Sequence, residues 1–225
     1  PIIHAPSAGS GLPAVLRLAQ AGDSAYRDCA GQVVGRVPSR SAASPIPSAG
    51  EISRLEVAMG LETVNPKVLP RLNKRMSLDQ FARAAEFLRA HDIALRVFVL
   101  VKPPWTTEAS ALDWACRSLE FAFDHGASAA ALIPARGGNG ALDALAARGE
   151  FAPPRLATLE AALDYGLGLR RGRVFADLWD LERFADCAVC FPARAARLRQ
   201  ANLHQQILAP ITCPAGCSAD AVASP

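Results

Sequence analysis

The sequence predicts an α/β fold: a partial parallel (β/α) barrel with a cysteine-rich C-terminal extension. Three observations predict it. From Leu55 onward, short apolar or β-branched runs alternate with longer stretches of helical periodicity, the pattern of parallel strands joined by right-handed crossovers. The apolar runs end in polar, charged or glycine clusters, namely Gly60-Leu61-Glu62, Lys102-Pro103-Pro104 and Arg136-Gly137-Gly138-Asn139-Gly140. In a parallel barrel such strand ends line the active site. Finally, the chain holds three or four strand–helix units where a closed barrel needs eight, so the barrel is open.

The elements follow in order. Residues 1–50 are rich in Ser, Ala, Pro and Gly, densest in turn formers from Val37 to Gly50, and predict a mobile leader with one short helix over 12–20. Residues 51–168 carry the barrel units and residues 169–225 the extension. Leu55 to Met59 has the length of a buried strand, and Asn65-Pro66 is a capped helix start. Ser77 and Gln80 form a capping box, after which Leu78, Phe81, Ala85 and Leu88 recur at helical spacing until about His91. Ala94 to Val101 reads as a strand buried on both faces, stopped by Pro103-Pro104. A helix over Thr107 to His125 is closed by Gly126, and His91 and His125 both sit where a helix C-terminus favours a cation. Ala129 to Ile133 is the next strand; Gly140 to Ala147 and Thr158 to Leu167 are helices, and Val174 to Leu178 a last strand.

Composition bounds the function without naming it. A chain of 225 residues, 51% hydrophobic and 20% charged, can bury a core as an ordinary globular domain does. A net charge of +3 neither requires nor excludes nucleic acid, because placement of Lys and Arg decides that. No apolar run approaches the roughly 20 residues of a membrane span, and no signal-peptide pattern stands at the N-terminus, so a cytoplasmic location is expected. Nucleophile elbows, zinc-protease helices and phosphate-loop lysine motifs are absent.

Several groups could carry chemistry. Gly60 permits close approach of a ligand, and Glu62 can accept hydrogen bonds from an ammonium or a ribose hydroxyl, or cap the next helix. Asn73, Lys74 and Arg75 suit a carboxylate, Arg by two parallel hydrogen bonds, or form a solvated basic turn. Lys102 offers a cation to a substrate. The amides of Arg136, Gly137 and Asn139 could bind an anion or a nucleoside edge, or make a plain turn. Cys187-x2-Cys190 and Cys213-x3-Cys217 suit tetrahedral zinc, with His204 as a substitute ligand, or else a second iron–sulfur cluster or unligated thiols. Arg194, Arg197 and Arg199 follow Phe191-Pro192 on a helix that reads as a solvated face or an RNA-phosphate contact. Asp177 and Asp180 could serve a substrate but are expected to cap a short helix, and Trp105, Trp114 and Trp179 to be core or pocket wall.

Taken together, Gly60-Leu61-Glu62, Leu72-Asn73-Lys74-Arg75, Phe98-Val-Leu-Val-Lys-Pro-Pro and Leu132-Ile-Pro resemble the later half of a radical S-adenosylmethionine (radical SAM) barrel, over roughly residues 55–217. The run with its cysteine-rich tail is similar to relatives of the archaeosine-biosynthesis radical SAM subunit. The resemblance implies a [4Fe-4S] cluster that cleaves S-adenosylmethionine to a 5′-deoxyadenosyl radical, acting on a small-molecule, modified-nucleoside or tRNA substrate. It assigns Glu62 to the amino or ribose groups of that ligand and Arg75 to its carboxylate or ribose. Lys102 stands where many relatives carry Gly-x-Pro, and the cluster-binding Cys-x3-Cys-x2-Cys motif is absent. The chain alone is therefore expected to be inactive, the other reading being a non-catalytic, zinc-stabilised module that binds RNA or a partner.

Overall fold

The computed structural model describes residues 55–138 and 140–217, with the backbone of three short strands before them: β1 (Ile3–His4), β2 (Ala25–Arg27) and β3 (Val33–Arg36). The expected mobile leader and the helix expected over 12–20 otherwise fall outside the described residues. The chain forms two compact units, one of them Ala8–Ser53, in which β2 and β3 pair antiparallel.

The other unit is a parallel sheet with helices. Its strands are β1, β4 (Glu56–Glu62), β5 (Ala94–Val101), β6 (Ala129–Pro134) and β7 (Arg173–Ala176), hydrogen-bonded in that order. The helices are α1 (Leu78–Ala90), α2 (Glu108–Asp124), α3 (Ala141–Ala147), α4 (Leu156–Leu169) and α5 (Phe191–His204). Spatial order repeats chain order, with no reversal along the sheet. When every connection has the same hand, such an order lays its crossover helices on one face.

Burial agrees. Leu95, Val97, Val99 and Val101 are buried against the helices, and they share a core with Phe81, Ala85 and Leu88 of α1, Leu119 of α2, and Leu159 and Leu163 of α4. The alternate residues of β5 are half-buried, which corrects the expectation of a strand covered on both faces. That second face carries Phe98, Leu100, Ile133 and Phe175. It also carries a charge cluster: Glu56 accepts from Arg96 at 2.9 Å and pairs with Arg173 at 3.8 Å, and both guanidinium groups lie over Phe175.

Local signals are realised closely in α1 and α2. Ser77 and Gln80 form the reciprocal capping box. At the other ends, His91 and His125 each bond a last-turn carbonyl, Phe87 and Phe121, at 2.8 Å and stack on the same phenylalanine with ring centroids 4.1 Å apart. The helix expected from Asn65 does not form. Asn65 Oδ1 instead accepts the Lys67 amide in a tight turn, and a single 3₁₀ turn, Leu69–Leu72, ends at Asn73 in the left-handed conformation. Prolines at 66 and 70 withhold two amides, leaving too few donors for an α-helix in so short a span.

The outer edge of β7 is closed by side chains. Asn202 of α5 accepts from the Ala176 amide at 2.9 Å and donates to the Ala176 carbonyl at 2.8 Å. Gln205 does the same for Val174, at 2.8 and 2.9 Å. Two primary amides thus replace a neighbouring strand, satisfying backbone groups that would otherwise recruit another chain. Because residue 202 meets 176 and residue 205 meets 174, α5 runs antiparallel to β7, and its N-terminus lies toward the carboxyl end of the sheet.

Helix α5 is also keyed to α4 by charge. Arg194 and Arg197, only 4% and 6% exposed, pair with Glu160 and Asp164, and Arg197 donates to the Leu208 and Ala209 carbonyls. This corrects both sequence expectations for these two residues, which neither face solvent nor are available to RNA. Only Arg199 of the three is exposed. Replacing both Asn202 and Gln205 by Ala should lower stability by about 1–3 kcal/mol, the cost of stranding buried backbone groups, and promote self-association. Urea unfolding and sedimentation velocity test this; an unchanged midpoint and a monodisperse monomer would contradict it.

Candidate metal centre and ligand cleft

Residues flanking α5 assemble the first candidate site. Cys187 and Cys190 lie on the turn entering the helix, and Cys213 and Cys217 lie after it on the returning segment. The four sulfurs all fall within 4.8 Å of one another, with Cys187–Cys213 at 3.8 Å and Cys190–Cys217 at 3.7 Å. A single tetrahedral ion with metal–sulfur bonds of about 2.3 Å sets its sulfurs roughly 3.8 Å apart. The quartet could therefore hold a metal ion as it stands. Amide donors point the same way: the Cys217 amide, its side chain and the Ala215 amide outweigh burial and bring the Cys213 thiol down to about 6. The Cys190 and Val189 amides lower Cys187. His204 takes no part; it is exposed at the far end of α5, bonded to Gln200 at 2.9 Å.

The second site is a cleft of about 580 Å³ at the carboxyl ends of the strands. Four successive connections wall it: Arg71 and Asn73 after β4, Leu100 and Trp105 around the end of β5, Ile133 and Arg136 around the end of β6, and Asp177 after β7. The volume lies in the range of small-molecule sites, and the mixture of apolar wall with few polar groups is typical of them. Arg136 pairs with Asp177, whose other oxygen accepts the Trp179 amide at 3.0 Å. Arg71 lies 3.8 Å over the Trp105 ring. Two donors of this wall, Arg136 Nε and Trp105 Nε1, are buried with no hydrogen-bond partner. Buried donors are seldom left so.

Backbone conformation marks the same rim. Nine described non-glycine residues have positive φ, and six of them, Glu62, Asn73, Arg75, Lys102, Trp105 and Asp180, lie on these carboxyl-end connections. The other three, Asp92, Arg170 and Gln205, lie at the C-terminal ends of helices. Left-handed conformations cost side-chain-bearing residues roughly 1–2 kcal/mol, and they gather where function holds the chain against local preference.

The sequence-predicted residues divide accordingly. Asn73 and Arg136 line the cleft; Gly60, Glu62, Arg75, Lys102 and Gly137 share its end of the sheet but do not line it. Glu62 is paired with Lys74 at 2.5 Å, and a Cβ on Gly60 would lie 2.2 Å from the carboxylate and 2.6 Å from the ammonium. The glycine therefore makes room for the chain's own ion pair. Arg75 is exposed. Lys102 is buried, bound to Glu108 at 2.6 Å and to the Pro153 carbonyl at 3.1 Å. In the glycine-rich turn the Gly138 and Gly140 amides already bind Asp143, at 2.8 and 3.0 Å, and hold its pKa below the ordinary carboxylate range. A Cβ on Gly137 would meet that same carboxylate at 2.7 Å. Asn139 lies outside the described residues.

Asp180 precedes the 3₁₀ turn Leu181–Phe184 without a side-chain cap bond, while Asp177 serves Arg136; the expected capping role is not realised. Trp105 is pocket wall as expected, whereas Trp179 is 78% exposed. Sequence reading missed Arg71, Trp105 and Asp177 as partners in one cleft, because an arginine–tryptophan stack and an arginine–aspartate pair 41 residues apart leave no spacing motif.

No protein-family model matches the chain, and no curated protein matches it. The molecule has an α/β fold on a parallel sheet and a cysteine quartet able to hold a metal ion, and no described helix is long and apolar enough to cross a membrane.

The Lys102–Glu108 pair gives a pH prediction. Burial works to raise the Glu108 carboxyl, but Lys102, Thr158 and the Arg155 amide all donate to it, and its pKa lies below the usual value. A depressed folded pKa contributes stability above the unfolded carboxylate range and loses it as pH falls through the folded value. Glu108→Gln should therefore unfold at lower urea than wild type at pH 7, with the two converging as pH drops below that range. A gap that stays constant with pH would count against it.

Proposed function

We propose that residues 55–217 are the later half of a radical SAM-type barrel, that the cleft at the strand ends receives S-adenosylmethionine or a related nucleoside ligand, and that the cysteine quartet holds a structural zinc ion. The observation that carries the reading is the unreversed parallel strand order, in which four consecutive connections open into one cleft. Doubly wound sheets instead reverse at a switch point. The closed outer edge of β7 favours a sheet that ends there, as an open barrel requires.

The residues fit the nucleoside ligand. Arg136, oriented by Asp177, presents a cation to a carboxylate or ribose oxygen, and Leu100, Ile133 and the Trp105 ring supply apolar wall. In this reading Asn73 and Arg136 hold the ligand; Glu62 and Lys74 brace the β4 end, and Lys102 braces the loop that carries Trp105. A [4Fe-4S] cluster does not fit. Among the described residues the four-cysteine group has the spacing of one ion, whereas the thiolates of a four-iron cluster each bind a separate iron and stand farther apart. No reaction step is assigned to the chain on that account; its own part is to bind and orient. Zinc suits the quartet as a d¹⁰ ion in a closed Cys₄ site, where it contributes directly to folding.

The non-catalytic, zinc-stabilised module shares this metal site. Its RNA-binding form loses its main support with the burial of Arg194 and Arg197.

Titration calorimetry with S-adenosylhomocysteine tests the cleft. Wild type is expected to bind, Arg136→Met to bind at least about tenfold more weakly, as loss of a charged hydrogen bond implies, and Lys102→Met to retain affinity when folded. No binding by zinc-loaded, folded protein would end the nucleoside reading. Metal analysis of the native chain should give about one zinc per chain and no iron.

A further inference from the structure

We infer that Arg71 is the anion anchor of the cleft, the residue that takes the carboxylate of the nucleoside ligand, and that Arg136 is left to the ribose oxygens. The inference rests on the nucleoside reading above and deepens it by saying which end of the ligand each arginine meets. Two guanidinium groups line the cleft. Arg136 is paired with Asp177, a carboxylate of the same wall, so its charge is already met within the chain. Arg71 differs. Its one ion pair among the described residues, with Glu150, is 3.8 Å long, beyond hydrogen-bond reach. Both side chains are well exposed, at 48% and 36%, where such a pair contributes little. Glu150 is also held more closely by Arg148, at 3.2 Å. Of the two cations, Arg71 is the one whose charge remains for a ligand.

Its position is nevertheless fixed. Arg71 lies on the 3₁₀ turn Leu69–Leu72, which contains Pro70, and its guanidinium stacks 3.8 Å over the Trp105 ring. Trp105 is itself tied down, its amide donating to the Glu150 carbonyl at 2.8 Å. A stacked guanidinium is weakly hydrated and keeps its N–H groups in its own plane, the fork that grips a carboxylate by two parallel hydrogen bonds. Asn73 lines the cleft from the same connection and adds a neutral amide donor.

Charge separates this role from packing. An anchor for a carboxylate attracts that group and repels a ligand that carries only an ammonium. A guanidinium that merely props the Trp105 wall serves both ligands alike.

Titration calorimetry compares S-adenosylhomocysteine with its decarboxylated analogue, which keeps the adenosine, the thioether and the ammonium and lacks only the carboxylate. Wild type is expected to prefer S-adenosylhomocysteine. Arg71→Met keeps an unbranched side chain over Trp105 and removes the charge; it should weaken S-adenosylhomocysteine about five- to tenfold, the loss of a partly exposed charged hydrogen bond. The same variant should bind the decarboxylated analogue as tightly as wild type does, or more tightly. Arg71→Lys should keep the preference for the carboxylate, and Glu150→Gln should bind S-adenosylhomocysteine at least as well as wild type. Equal weakening of both ligands in Arg71→Met would overturn the anchor, as would unchanged affinity for S-adenosylhomocysteine in that variant. If Arg71→Met does not fold, the other two decide: a folded Arg71→Lys without the preference, or weaker S-adenosylhomocysteine binding in Glu150→Gln, overturns it. Folded wild type that binds neither ligand overturns the nucleoside reading and the anchor with it. Wild type that binds both equally leaves that reading standing and overturns the anchor alone.

Discussion

The structure depends on a constraint that every open sheet must meet: its last strand has to end without inviting another. Here Asn202 and Gln205 meet it from a neighbouring helix, matching the donor and acceptor of two alternate β7 residues as a paired strand would. Their spacing along α5, three residues, spans about 4.5 Å of helix rise against about 6.6 Å between alternate strand residues. The difference is absorbed by the longer Gln205 side chain and its left-handed backbone at the helix end. Once α5 is held along β7, its buried face is set. That face carries the two arginines that meet α4, and its N-terminus carries the cysteine turn to the same end of the sheet as the cleft. Edge closure, helix docking and the placing of the cysteine turn are consequences of one registration.

Much of the fold was legible because local signals and tertiary demands agree. The capping box at Ser77, the Phe-x3-His ends of α1 and α2, and the β-branched run of β5 each specify an element without help from elsewhere. Strand order follows from alternation of strand and helix. The failures have physical causes. Asn65-Pro66 carries the right residues for a helix start, but a second proline at Pro70 leaves only a turn. Ala94 to Val101 is apolar on both sides in sequence, yet one side is half-buried, since hydrophobicity does not reveal how many layers cover a sheet.

The cysteine quartet was legible, because residue identity and short spacing are written in the chain. The cleft was legible only in outline. Sequence placed the right loops at one rim but credited their charged residues to a ligand, when Glu62, Lys102 and the glycine-rich turn find partners inside the chain. Charge in a sequence has no destination until the fold supplies one. The groups left wanting partners, Arg136 Nε and Trp105 Nε1, come from a residue that the sequence singled out and one that it treated as wall.

The left-handed residues on the rim carry a consequence for evolution and engineering. At exposed Arg75 the backbone would relax if glycine or asparagine replaced the side chain, so selection for thermal endurance alone would favour that change. A bulky residue kept in such a conformation, where no buried ion pair or stack repays it, marks durability surrendered to something else the protein must do.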